Sequence, residues 1–480
     1  MISLIKPSLF FLFLNFLFFS LSAQSNFNYG VASGDATDSS VVIWSHYFST
    51  QDTLQIQYQV ALNQDFNQVL SQGYFYTNLE RDHTIKVDVN NLPAGKQLFY
   101  RFIFQNDTSE IGISYTTPKE NISNYQIGVV SCANFEAGYF NGYEVLANID
   151  NLKLVIHLGD YIYEYGSKEY GYNKTSKRIF SPQNELITLT DYRSRYKQYR
   201  TDASLKKLHQ KVPFYCLWDD HEFADDAHSE GADNHNMFEG NWQSRKAAAM
   251  KAYFEWMPVR ENAANNISRA IKIGNLANIL LVDTRMGGRE PGKKMLGNEQ
   301  NIWLTNSLLN SNCKWNIMAQ QVMMSPLKLG KIKMNADQWD GFENDRVALL
   351  KFIQEQQIQN FVVLSGDFHS SWASELKYKN ETVGREIVSP GITSGAFEFP
   401  FLKSIIYATN PHIKYTNLKN QGFVSILLSQ EFLKVDFNFL QTIDYFSDKV
   451  FETKSFYLLN GKQSFDKGLN KPLELVLKQD

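Results

Sequence analysis

Residues 154–166 read LVIHLGDYIYEYG, an apolar run that stops abruptly at Gly159-Asp160 and is followed by Tyr163. A run with no polar alternation is what a strand buried on both faces requires. The same ending recurs along the chain. "QIGVVS" leads into Cys132, "FYCLW" into Asp219-Asp220-His221, and "FVVLSG" into Asp367 and His369. Open α/β sheets place their sites beyond the carboxyl ends of the strands, so these groups are expected to converge. Any one alone has a plainer reading, because an Asp after a strand is a common helix N-cap. Strand after strand ending in ligand-type side chains points to a site.

The surrounding sequence supports that layering. From residue 125 onward, runs such as "YQIGVVS", "VPFYCLWDD", "NILLVDTR" and "KWNIMAQQ" alternate with helical patterns such as "NGYEVLANI", "DYRSRYKQYRTDASLKKLHQK" and "WQSRKAAAMKAYFEWM". Residues 124–470 are therefore expected to form an α/β domain, closed by antiparallel strands over residues 422–439. Residues 27–118 differ. Short alternating runs ("VVIWSHY", "LQIQYQVAL", "HTIKVDVNNL", "LFYRFIF") separated by turn residues predict a small β-sandwich, with "KENISN" as the linker. At 480 residues the chain is long enough for two such units.

Composition narrows the function classes. The chain is 43% hydrophobic and 20% charged with a formal net charge of -3, which supplies no basic surface for specific nucleic-acid binding. Residues 1–23 carry one Lys, an apolar run from Leu9 to about Leu21, and small residues at Ser22-Ala23. That pattern predicts a cleaved signal peptide and a periplasmic or secreted protein; no later segment is apolar enough to span a membrane. The three cysteines, Cys132, Cys216 and Cys313, are an odd number and a poor disulfide framework.

The strand-end residues carry recognisable chemistry. A carboxylate, a phenol and a thiol at Asp160, Tyr163 and Cys132, with His369, suit a strongly Lewis-acidic ion such as Fe3+. Asp220 and Asp367 offer only oxygen and suit a hard ion beside it, with Asp160 as the bridge. Mn2+, Mg2+ and Zn2+ accept overlapping donor sets. Such a pair activates water and neutralises a phosphoryl group's developing charge. His221, beside Asp220, is then placed to bond a phosphate oxygen or to protonate a leaving alkoxide.

The motifs "SCAN", "GDYIYEYG", "WDDHEFADD" and "SGDFHSSWASEL", in this order, resemble the PhoD-type alkaline phosphatases; "GVASGDATDSSVVIWSH" resembles that family's N-terminal domain. The likeness runs from about Gly30 to beyond Ser389. It implies a β-sandwich followed by a two-sheet α/β metallophosphatase domain. It also implies an iron–calcium site that hydrolyses phosphate monoesters and diesters through a metal-bound hydroxide, with Cys132, Asp160, Tyr163 and His369 on the iron. Asp160, Asp220 and Asp367 would take the calcium side, and His221 the catalytic histidine's place. The chain departs from the pattern in lacking a twin-Arg leader and in having Asp225-Asp226 where relatives tend to have Asn-Asp.

The remaining candidates are weaker. Arg195 and Arg289 are candidates to clamp a phosphate bidentately, although a solvated arginine has the same signature. Gln320-Gln321 and His157 read as structural, and His228 and His235 as surface-loop residues. Ser394 lacks the flanking glycines of a nucleophile elbow. Cys216 and Cys313 are expected to fill core space. Two other functions compete with the phosphatase: a phosphodiesterase or phospholipase-D-like hydrolase with a larger substrate, and a non-enzymatic surface-binding protein in which the sandwich does the work.

Overall fold

A computed structural model describes residues 25–330, 332–395 and 399–465. The expected leader at 1–23 and the last residues of the expected 124–470 unit lie outside the described residues.

The alternating N-terminal runs form β1 (Val31–Gly34), β2 (Ser40–His46), β3 (Thr53–Ala61), β4 (Val69–Asn78), β5 (Thr84–Asn90), β6 (Gln97–Phe104), β7 (Asp107–Thr108) and β8 (Gly112–Tyr115). One leaf of the sandwich is β1-β2-β5; the other is β4-β3-β6, with β7 and β8 both pairing β6. The two-residue period explains the packing: Leu54 and Ile56 of β3 and Leu98, Tyr100 and Phe102 of β6 are buried, while the residues between them are more exposed.

The rest of the chain supplies β9 (Asn124–Val130), α1 (Asn141–Ala147), β10 (Leu152–His157), α2 (Leu189–Tyr199), α3 (Ala203–Lys211), β11 (Phe214–Cys216), α4 (Trp242–Trp256), β12 (Arg269–Ile273), β13 (Ala277–Leu281), α5 (Asn298–Leu309) and β14 (Trp315–Ala319). After these come β15 (Lys328–Leu329), β16 (Ile332–Lys333), α6 (Glu343–Glu355), β17 (Phe361–Ser365), β18 (Ser371–Tyr378), β19 (Glu381–Val388), α7 (Leu402–Thr409), β20 (Ile413–Asn417), β21 (Gly422–Ser429), β22 (Phe432–Leu440) and β23 (Val450–Leu459). The long helical pattern after residue 189 is two helices, because Asp202 caps α3 by accepting from the N–H groups of Ser204 and Leu205.

Two large sheets result. The first runs β23-β22-β21-β9-β10-β11-β1-β2-β5, and the second β12-β13-β14-β17-β19-β18-β20. Strands β9, β10 and β11 are parallel, as are β13, β14, β17 and β19, while β21 and β22 are antiparallel. Side chains of both sheets, including Ile127, Ile156, Trp315 and Leu364, share one core between them. A second core lies where Leu304 and Leu308 of α5 and Leu349, Leu350 and Ile353 of α6 meet the outer face of the second sheet. The architecture is α/β/β/α.

The segment 118–124 does not act as a linker that sets the sandwich apart from the α/β unit. The leaf β1-β2-β5 is the edge of the first large sheet, joined through the parallel pair β1–β11. The junction is buried: Asp35, 2% exposed, accepts from the N–H of Arg260 at 2.7 Å and from Arg269 Nε at 2.8 Å.

Candidate metal centre

Parallel strands β9, β10 and β17 end at Val130, His157 and Ser365, and the chain turns sharply just beyond each. Cys132, Asp160, Asp367 and His369 all adopt positive φ, at 58°, 54°, 60° and 54°. Side chains rarely tolerate this left-handed region, and residues held there cluster at functional sites. The turns swing thiol, carboxylates and imidazole off the strand line and toward one another. Gly159 is required here: its φ is 118°, and a Cβ would stand 2.7 Å from the backbone nitrogen of Asp219.

The strand-end residues gather in overlapping groups. One ligand atom each from Cys132, Asp160 and His369 lie within 4.8 Å of one another, as do those of Asp160, Asp220 and His221; beside Asp220 and Asp367 the third carboxylate of such a group is Asp219, where the sequence predicts Asp160. Tyr163 Oη donates to Asp160 Oδ2 at 3.1 Å and stands 3.2 Å from His369 Nε2. Its other neighbour is the hydroxyl of Ser394 at 2.7 Å, which places that serine beside the phenol. Burial, with Asp160 close by, pushes both the Cys132 thiol and the Tyr163 phenol well above their usual range. Both therefore hold their protons unless a cation faces them.

The donor set fits a cation. Asp160 Oδ1 and Asp219 Oδ2 are buried and accept no hydrogen bond, and Asp220 Oδ1 meets only the Arg285 guanidinium, at 3.3 Å. Buried carboxylate oxygens are almost always bonded, so orphans in one cluster mark a place for positive charge. Burial raises Asp367 to about 6 against the pull of Arg285. Asp220, also buried, is nevertheless held below the usual carboxylate range by Arg285 and His221.

His221 is anchored on two sides. Its Nδ1 lies 2.8 Å from Glu164 Oε2, and its ring stacks on Tyr163 with centroids 4.3 Å apart. Burial alone lowers its affinity for a proton, but Asp220, Glu164 and Asp160 outweigh that and raise it well above the ordinary histidine range. Asp225 and Asp226 join the rim: the Asp226 N–H donates to Asp220 Oδ2 at 2.7 Å, and the Asp225 N–H to Glu164 Oε1 at 2.8 Å.

The arginines are assigned differently from the sequence reading. Arg195 is fully buried, its guanidinium donating to the carbonyls of Tyr163, Tyr165 and Pro182 and lying over the Phe180 ring. It pins the Tyr163 loop and has no free face for phosphate. Arg289 is also buried, bonded to Asp337 and to the carbonyl of Thr284. The arginine in the site is Arg285, which reaches Asp219 at 2.5 Å, Asp337 at 2.8 Å and Asp367 at 3.1 Å.

Glu222 is a second site residue that sequence reasoning does not single out. Its carboxylate accepts from the N–H groups of Asp160 at 3.0 Å, Tyr161 at 2.5 Å and Asp219 at 2.6 Å, tying two strand-end turns together. Glu222 and Arg285 sit inside the quoted motifs "DDHE" and "VDTR", but a motif does not say which of its charges faces inward. Gln320 and Gln321 are structural, bonded to Trp339 and Val322 and to Thr284 and Trp218. His157 is a core histidine, 2.9 Å from the Tyr143 hydroxyl. His228 lies on a partly exposed loop, whereas His235 is tucked against Trp242 and Glu239. All three cysteines are free; Cys216 is buried, but Cys313 is half-buried rather than core, its thiol directed at the Gly274 carbonyl.

The two-sheet α/β fold gathers acidic and imidazole groups at its strand ends, and similarity to known proteins defines the class. Residues 127–437 match the PhoD-like phosphatase family, and residues 19–118 match the N-terminal domain of PhoD-like phosphatases. The chain belongs to the PhoD-like phosphatase family and is a phosphoric-ester hydrolase. It is 32% identical over 465 residues to alkaline phosphatase D of Bacillus subtilis (strain 168), spanning 87% of this chain and 79% of that one. A solved structure of PhoD superposes with a TM-score of 0.84 at 30% identity, covering 93% of this chain and 94% of the other.

Proposed function

We propose that this phosphatase is exported and metal-dependent, and that it hydrolyses phosphate monoesters and diesters at a dinuclear site. Cys132, Asp160, Tyr163 and His369 would hold the more Lewis-acidic ion, Fe3+, while Asp160, Asp220 and Asp367 would hold Ca2+. Ions bound there lower the pKa of water and neutralise phosphoryl charge. The supporting observation is the orphaned, buried oxygen of Asp160 beside the thiol, phenol and imidazole, with a second orphaned oxygen on Asp219 in the adjoining group of Asp219, Asp220 and Asp367.

The chain's own residues complete the chemistry. Glu164 fixes the His221 ring through Nδ1, which leaves Nε2 as the nitrogen free to carry a proton to the substrate. His221 lines the cavity, where it gives its proton to the departing alkoxide oxygen as the phosphorus–oxygen bond breaks. Arg195 and Glu222 act at one remove, holding the Tyr163 loop and the Asp160 and Asp219 turns.

Elemental analysis of protein purified without chelator, with its visible spectrum and its turnover of mono- and bis-aryl phosphates, tests the reading. We expect about one iron per chain and an absorption band lost in Tyr163→Phe. Zinc or manganese alone, without such a band, would undo the ligand assignment. Full turnover after exhaustive chelation would end the metal proposal. Export is tested by N-terminal sequencing of the mature protein, with cleavage expected near Ala23.

A further inference from the structure

The cavity that opens onto the metal-ligand cluster is two-sided. It encloses about 720 Å³, with Asp220, His221, Asp367 and His369 at one end. The other end is apolar, lined by Leu327, Met334, Trp372, Leu402, Ile406 and Leu418. A single turn makes the division: Phe368 stands between Asp367 and His369 and points its ring edge-on at Trp372, with centroids 5.4 Å apart. The same turn thus aims two polar groups one way and an aromatic ring the other.

The apolar wall is built from two segments distant in sequence. The hairpin carrying β15 and β16 lies against α7, and buried Asn410 ties them by accepting from the Lys328 N–H and donating to the Lys328 carbonyl, at 2.9 and 2.8 Å. Behind them, Met323, Leu327, Trp372, Val388, Ile406, Ile413 and Leu418 form a small core of their own. Water gains few partners from such a wall, whereas an apolar chain covering it is removed from water at both surfaces.

We infer that this compartment binds the organic part of the substrate, and that the preferred substrates are soluble phosphate esters of apolar alcohols bearing an alkyl chain of several carbons. The inference rests on the phosphatase reading and adds the class of alcohol. The occupant follows from continuity: with a phosphate at the polar end and its ester oxygen within reach of His221, the alkyl chain beyond that oxygen has the apolar end of the same cavity to enter. A cavity of about 720 Å³ has room for one such chain, so the ester is expected to enter as a monomer.

The test is a series of n-alkyl phosphates from butyl to octyl, assayed below their micellar concentrations. Leaving-group basicity is nearly constant along the series, so differences report burial. A fully buried methylene contributes about fourfold, and we expect kcat/KM to rise at least about tenfold from butyl to octyl. Met334→Ser with Leu402→Ser, both on partly exposed positions, should flatten that slope. The corresponding alkylphosphonates, titrated calorimetrically, should tighten in the same order without any need for turnover. A series flat to within about twofold in both measurements overturns the inference. So does a flat series accompanied by sedimentation with phosphatidylcholine vesicles, which would make exposed Phe399 and Phe401 a membrane-facing rim instead. Tightening phosphonates with no phosphate released from any ester would support the compartment while sinking the phosphatase reading.

Discussion

Arg285→Met removes the only guanidinium, among the described residues, within ion-pair distance of Asp219, Asp220 and Asp367, at 2.5, 3.3 and 3.1 Å. Its side chain is fully buried, as is that of Asp219, so water does not replace the lost contacts. Breaking a buried ion pair by removing one partner costs about 3–5 kcal/mol, because the other charge is left uncompensated. Methionine keeps much of the volume, so the change is electrostatic more than steric. We expect the urea midpoint in chelator to fall by the equivalent of about 3–5 kcal/mol with an unchanged slope. Adding calcium should restore part of the loss, since a bound cation would neutralise the same carboxylates. A midpoint unmoved to within about 0.5 kcal/mol in chelator would refute the reasoning. It would mean that these carboxylates do not depend on Arg285 for their charge balance.

Arg195→Met should lower stability by about 3 kcal/mol, because the carbonyls of Tyr163, Tyr165 and Pro182 lose a buried donor; a raised KM at unchanged stability would instead restore it as a phosphate clamp. His221→Ala should cut kcat by about 10²-fold or more while inorganic phosphate still binds, read by steady-state kinetics and product inhibition. Unimpaired turnover would remove His221 from the mechanism. Burial holds His46 and His157 at about 3 in the fold, so below the ordinary value near 6.5 the unfolded chain takes up protons that the folded chain refuses. Stability therefore falls as pH drops from about 6.5 toward 3, by about 2 kcal/mol per histidine at pH 5. His46→Phe should flatten part of that limb in unfolding curves taken across the range, and an unchanged limb would show that His46 is protonated in the fold.

The residues that gather at the site are legible in the sequence because they end strands. A parallel strand buried on both faces writes itself as an apolar run, and the first polar residues after it must lie at the sheet's edge. That logic carries Cys132, Asp160, Asp220, Asp367 and His369 without any knowledge of long-range contacts. Arg195 shows where it stops. An arginine on an amphipathic helix reads the same whether it meets solvent, a phosphate or buried carbonyls, and only the loop packed around it over residues 163–182 decides. Glu222 and Arg285 are hidden for the same reason, since nothing local marks which charge of a polar strand-end motif turns inward.

Local pattern by itself determined the order of elements, the sandwich-then-α/β composition and the chemical identity of the strand-end groups, since hydrophobic period and turn residues are properties of short segments. Tertiary structure alone decided that the leaf β1-β2-β5 extends the first large sheet, because pairing β1 with β11 depends on chain stretches about 180 residues apart. It also decided how charge is balanced in the site. Whether a carboxylate is bonded, paired or left open is set by which other segments fold over it. Only the packed chain shows Asp160 Oδ1 and Asp219 Oδ2 without a donor while Arg285 faces three of their neighbours.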